Sequence, residues 1–228
     1  MTISGVLIAV EGIDGAGKHT QVRALRRELE QRGRPVSEYS FPDYHHSHLG
    51  GTIKEMLAGR FGDAIKIHPA FSAPLFALER AEKRDAIRQD LAAGFAVICD
   101  RYVYSNYAHQ ACRLPEGERQ LFRVWLEKLE FGTLGLPRAD VTVLLDVEDQ
   151  VGANRRRARA LELPVDRPID NYEKDEVGIS IARSIYLSLA VDLNWIVVPT
   201  MLNGKQLDRE ATTREIFARI RKLLPGLQ

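Results

Sequence analysis

The chain has 228 residues, 32 of them Lys or Arg and 31 Asp or Glu, so its formal net charge is +1, and 45% of it is hydrophobic. That balance describes an ordinary globular chain, long enough to bury a core without disulfides or a structural metal, and near-neutrality argues against a dedicated nucleic-acid binder. Cys99 and Cys112 form no metal-ligand spacing, the opening MTISGVLIAVEGIDG has no basic leader, and no apolar run approaches the roughly 20 residues of a membrane span, so a cytoplasmic protein in a reducing compartment is expected.

In chain order, the apolar run at 6–10 reads as a strand buried on both faces of a parallel sheet. The period then changes: Val22, Leu25 and Leu29 recur at helical spacing over 20–32, and Gly33 follows as a stop. Further strands are predicted at 36–41, 95–99, 141–145 and 196–198. Helices are predicted at 74–93, 116–130, 149–161, 173–193 and 212–224. Alternating strands and helices imply an α/β fold with a central five-stranded parallel sheet covered by helices on both faces. No repeat or linker divides the chain, so residues 1–228 read as a single domain. The stretch 43–69 reads as the least structured part, and with the turn at 161–170 it is expected to lie over a site at the strand ends.

Gly12-Ile13-Asp14-Gly15-Ala16-Gly17-Lys18 follows the first strand and opens the first helix, which is the context of a GxxxxGK phosphate loop. Glycines let backbone N–H groups wrap phosphate oxygens, the helix start adds positive dipole, and Lys18 supplies a mobile charge for β/γ oxygens. His19 stands where a Ser or Thr normally offers a hydroxyl to magnesium, and Thr20 comes one residue too late. Imidazole is a poor magnesium ligand, so Mg2+ is expected on phosphate oxygens, waters and carboxylates such as Asp14 or Asp100. Arg101 falls at the sheet's carboxyl edge, with Asp100 either a ligand of magnesium-bound water or the group that orients Arg101. Arg155 and Arg159 share a face in Asn154-Arg155-Arg156-Arg157-Ala158-Arg159, a run that by default is a solvated face and alternatively a basic lid. Phe76 and Arg80 are also i, i+4, and taken alone they read as a core ring beside a surface cation. His45, His46 and His48 do not carry a zinc reading.

The phosphate loop, FPDY at 41–44, LFALER at 75–80, DRYVYSN at 100–106 and DNYE at 170–173 stand in the order found in thymidylate kinases, which the chain resembles from about residue 6 to 198. The resemblance implies the P-loop nucleoside-monophosphate-kinase fold, a mobile Arg-rich lid at about 150–170, a homodimer, and transfer of the ATP γ-phosphate to dTMP. It implies that Arg101 contacts the acceptor phosphate and that Arg159, then Arg155, reach the transferred group. It further implies that Phe76 and Arg80 meet the thymine, with Asn106 reading its amide-like edge. Phe41, Pro42 and Tyr44 border the acceptor, while Asp170, Tyr172 and Glu173 lie near the acceptor and its metal waters. Two positions depart from the family: Asp43 stands where an arginine is common, and His109 where an aromatic ring beside the sugar is usual. The competing expectations are another P-loop nucleoside or nucleotide kinase, or a nucleotide-binding protein without transfer.

Overall fold

Side-chain alternation along the first strand decides the layering. Every residue of β1 (Val6–Glu11) is buried, with Val6, Ile8 and Val10 in one core and Leu7 and Ala9 in the other, the pattern of a central strand covered on both faces. The computed structural model describes residues 4–162, 171–202 and 205–223. In it β1 pairs in parallel with β3 (Ala96–Asp100) on one side and β4 (Val141–Asp146) on the other. β2 (Val36–Ser40) adds outside β3 and β5 (Ile196–Pro199) outside β4, giving the parallel order β2-β3-β1-β4-β5. The five-stranded sheet expected from the sequence is therefore the one observed. A two-stranded hairpin of β6 (Met201–Leu202) and β7 (Lys205–Gln206) follows it.

Helix α1 (Lys18–Gln31) lays Val22, Leu25 and Leu29 onto the first core. It is joined there by α5 (Val103–Ala111), α6 (Glu116–Glu127), α9 (Glu176–Asp192) and α10 (Arg209–Leu223). The second core takes Ile87 from α4 (Arg84–Ala92) and Leu136 from the segment before β4.

Two expectations are corrected. The helix predicted over 74–93 is two helices, α3 (Pro69–Ala81) and α4. At the break, the Glu82 carboxylate accepts the N–H groups of His48 and Leu49, both at 3.0 Å. Those two residues begin α2 (His48–Leu57), a helix inside the stretch read as least structured. Ser47 caps it through Gly50 N–H at 2.9 Å, and Ile53, Met56 and Leu57 are its buried face. Gly50 is required by contact, since a Cβ there would lie 2.0 Å from the Asp43 carbonyl oxygen.

All five strands end at one edge. The neighbours β1 and β4 send their connections in opposite directions, β1 through α1 to β2 and β4 through α7 (Asp149–Glu162), α8 (Asn171–Lys174) and α9 to β5. This is the switch-point crevice in which open parallel sheets bind ligands.

Candidate active site

The loop after β1 has the backbone its glycines predict: Gly12, Gly15 and Gly17 have φ of 141°, 87° and 90°, values that L side chains resist. At Gly15 a Cβ would also lie 2.6 Å from the carbonyl oxygen of Gly152, near the start of α7, so two backbones touch there. Lys18 is buried, with Nζ donating to the Ile13 carbonyl at 3.0 Å and lying 3.9 Å from Asp14. Burial, then the like charge of Arg101, pulls its ammonium down to about 8. Both cations share the Asp14 carboxylate, and a desolvated pair of cations favours negative charge beside it.

Arg101 follows β3 in the left-handed region, φ 67°, where a non-glycine residue costs about 1–3 kcal/mol. Its N–H donates to Val10 O at 2.9 Å. The guanidinium donates to Asp14 Oδ1 at 2.6 Å, Gly12 O at 3.2 Å, Ser105 Oγ at 3.3 Å and His109 Nε2 at 3.2 Å. Asp14, then, and not Asp100, orients Arg101. Asp100 faces His19, whose Nδ1 is 3.7 Å away and whose imidazole it holds above the ordinary value. Because Arg only donates, His109 Nε2 is the unprotonated acceptor. Burial, aided by the Arg101 charge, pushes that imidazole down to about 3.

Asn106 Nδ2 donates to Ala73 O at 2.9 Å and Glu130 Oε1 at 2.8 Å, which leaves Oδ1 buried without a partner among the described residues. Arg80, on α3, sends Nε to Glu130 Oε2 at 2.8 Å and lies over the Phe41 ring at 5.0 Å. Glu130 is fully buried and orients both Arg80 and Asn106, a role the sequence reading missed. Its signal was a carboxylate four residues after buried Leu126, on the apolar stripe. Phe76 stacks on Tyr172 at 6.5 Å between centroids.

Arg155 and Arg156 reach back to the loop, donating to Gly15 O and Asp14 O, both at 2.9 Å. Arg156, not one of the two arginines expected at the transferred group, is buried, whereas Arg157 turns outward to Glu176. The Arg159 side chain and, with Asp170, residues 163–170 of the expected lid lie outside the described residues.

One cavity of about 850 Å³ joins these groups. It runs past Asp14, Lys18, His19, Thr20, Arg101 and Arg155, and its wall includes Phe41, Pro42, Tyr44, Phe76, Arg80, Asp100, Asn106, His109, Tyr172 and Glu173. Thr200, Leu207, Arg209 and Thr212 extend the wall, and none of them carried a sequence signal.

Glu79, on the same wall, accepts Asp43 N–H at 2.8 Å, and burial pushes its carboxyl up to about 7. A folded-state value above the ordinary 4.5 means the folded chain holds the extra proton between those limits. Stability from this group is fully present below pH 4.5 and is lost as pH rises through 7. Thermal melting of Glu79→Gln should be flatter than wild type across that window; parallel curves would remove Glu79 as the source.

The family model for thymidylate kinase matches residues 10–211. A thymidylate kinase of Mycobacterium tuberculosis is 40% identical over 197 residues, covering 85% of this chain and 91% of that protein. The chain belongs to the thymidylate kinase family. A probable thymidylate kinase of Thermococcus kodakarensis is 33% identical over 226 residues, 96% of this chain and 98% of that protein. A solved thymidylate kinase from Candida albicans, 21% identical, superposes with a TM-score of 0.74 over 99% of this chain and 94% of that one, a likeness of fold. As a member of the thymidylate kinases, the enzyme is a phosphotransferase, and the reading as a binding protein without transfer is not favoured. No helix among the described residues is long and apolar enough to cross a membrane.

Proposed function

We propose that this single-domain enzyme, working in the cytoplasm, binds dTMP and ATP end to end in the one cavity and carries the γ-phosphate across the gap between Lys18 and Arg101. The observation behind this is the continuity of that cavity from the glycine loop, past Arg101, to Arg80 and Asn106. The transition state of phosphoryl transfer is loose, so the protein's task is alignment and charge neutralisation. Lys18 takes the β/γ oxygens and Arg101 the acceptor phosphate, while Arg155 and Arg159 on α7 serve the transferred group as a lid, with Arg156 bracing the loop. Gly12 to Thr20 cradle the donor phosphates, and Thr200, Leu207 and Arg209 flank the donor base. Asp14, Asp100 and Glu173 border the same space with oxygen donors, the type magnesium prefers, and would hold it largely through water. Magnesium held there would supply positive charge to offset that of the phosphates during transfer.

Thymine selection follows from committed donors. With Nδ2 used on Ala73 and Glu130, Asn106 offers Oδ1 to a ring N–H, and Arg80 offers its Nη groups to a ring carbonyl. Phe76, itself stacked on Tyr172, offers its ring to the thymine, and Phe41, Pro42 and Tyr44 close the acceptor side. A cytosine N3 has no hydrogen and would face Oδ1 with a lone pair, a mismatch that polar sites reject strongly. The test is ADP release measured over a panel of monophosphates and unphosphorylated nucleosides with magnesium: fastest turnover on anything but dTMP overturns the reading.

His109 carries a chain-specific expectation. An imidazole beside the sugar is smaller and more polar than the usual aromatic ring, so a ribose 2′-hydroxyl is rejected less firmly. The ratio of kcat/KM for dTMP to that for its ribose counterpart should be lower in wild type than in His109→Tyr. Equal ratios would take His109 out of sugar selection.

A homodimer completes the reading. Phe71 and Leu78 on α3, with Leu121, Val124 and Trp125 on α6, are large apolar side chains left exposed, and a second copy is the occupant proposed for them. Sedimentation should give about twice the 25.7 kDa chain mass; a monomer at micromolar concentration would contradict it.

A further inference from the structure

Glu11, the last residue of β1, has no role in the chemistry above, yet it lies directly beneath it with no exposed surface. Its Oε1 accepts the N–H groups of Tyr102 at 3.0 Å and Ser105 at 3.2 Å, the residues that carry the chain from the Arg101 turn into α5. Its Oε2 accepts the Ser105 hydroxyl. A serine has one hydroxyl hydrogen, so once that hydrogen is on Glu11 the Ser105 oxygen is an acceptor only. It then receives Arg101 Nη1 at 3.3 Å and the Tyr186 hydroxyl at 2.8 Å. Tyr186 in turn packs edge-on to His109 at 6.0 Å, and His109 is another of the Arg101 acceptors.

We propose that Glu11 is a positioning residue for phosphoryl transfer, holding the left-handed turn at Arg101 and, through Ser105, the direction of its guanidinium. This rests on the reading of Arg101 as the arginine of the acceptor phosphate. A space-filling role would not call for a carboxylate here. Burying its charge is costly, and burial accordingly raises its carboxyl above the ordinary range. What a carboxylate alone supplies is acceptor capacity on both oxygens: two backbone donors on one, and on the other the hydroxyl hydrogen that commits Ser105 to accept from Arg101.

The experiment is a pair of double-mutant cycles, Glu11→Gln and Ser105→Ala, each combined with Arg101→Ala, with steady-state kinetics for dTMP and ATP and a thermal melt for every variant. Glu11→Gln and Ser105→Ala are each expected to stay folded and to lower kcat/KM for dTMP about 10- to 100-fold, the scale of a small misplacement of a reacting group, with KM for ATP unchanged. In the Arg101→Ala background neither should cost anything further, because the group they position is gone. If Glu11→Gln does not fold, the Ser105→Ala cycle decides alone. A folded Glu11→Gln with wild-type dTMP kinetics, or the same proportional loss with and without Arg101, overturns the proposal and leaves Glu11 a purely structural residue. Wild-type dTMP kinetics in Arg101→Ala alone would instead overturn the assignment of Arg101, and this proposal with it.

Discussion

Lys18→Ala should lower turnover at least about 10²-fold while the chain keeps its melting temperature within a few degrees. Removal of one preorganised donor from a transferring group costs on that order or more. The fold should survive because Lys18 is held by Ile13 O at 3.0 Å and Asp14 at 3.9 Å, both in the loop itself, and its burial already disfavours the charge, lowering the ammonium to about 8. Truncation removes a desolvated cation that the core does not use. Single-turnover measurement at saturating ATP and dTMP separates lost chemistry from lost binding. A folded Lys18→Ala with near-normal turnover would overturn the assignment of the loop after β1 as the donor-phosphate site.

Arg101→Ala should cost a comparable factor, about 10²- to 10³-fold in kcat/KM for dTMP, with less effect on ATP. Two losses combine. The acceptor phosphate loses its cation, and Asp14, bonded to that guanidinium at 2.6 Å, is left as a carboxylate facing two anionic substrates. Arg101→Lys should rescue poorly, since the guanidinium spreads its donors over Asp14, Gly12, Ser105 and His109 and a single ammonium cannot reach all of them. Steady-state kinetics with dTMP varied at saturating ATP checks both variants. A loss confined to ATP would move Arg101 to the donor side.

The parts of this site legible in the sequence are those whose geometry is local. Gly12 to Lys18 is one turn between a strand and a helix, Phe76 and Arg80 are one helical turn apart, and Arg101 is the first residue past β3. The illegible parts are long-range. Glu130 joins Arg80 and Asn106 from 50 and 24 residues away, and Glu11 reads as the plain end of a strand until Ser105, 94 residues on, is seen against it. Helix α2 was hidden because Gly50 and Gly51 interrupt its apolar period, although Ser47 was in place as its cap. Arg155 and Arg156 were both visible as cations; which of them lies buried depends on the rotation of α7 against the loop, and sequence spacing does not specify that.

The contact between Gly15 and Gly152 bears on that rotation. With no side chain on either residue, the loop and the head of α7 stand at backbone distance, where even a Cβ on Gly15 would come within 2.6 Å of the Gly152 oxygen. A methyl group at Gly15 would act as a shim, tilting α7 outward and withdrawing Arg155 and Arg156 together, although neither arginine had been altered. The reach of the α7 arginines is in this sense gauged by one missing side chain. In a random library, position 15 should therefore tolerate replacement as poorly as the charged residues do, for want of space as well as for its backbone angle.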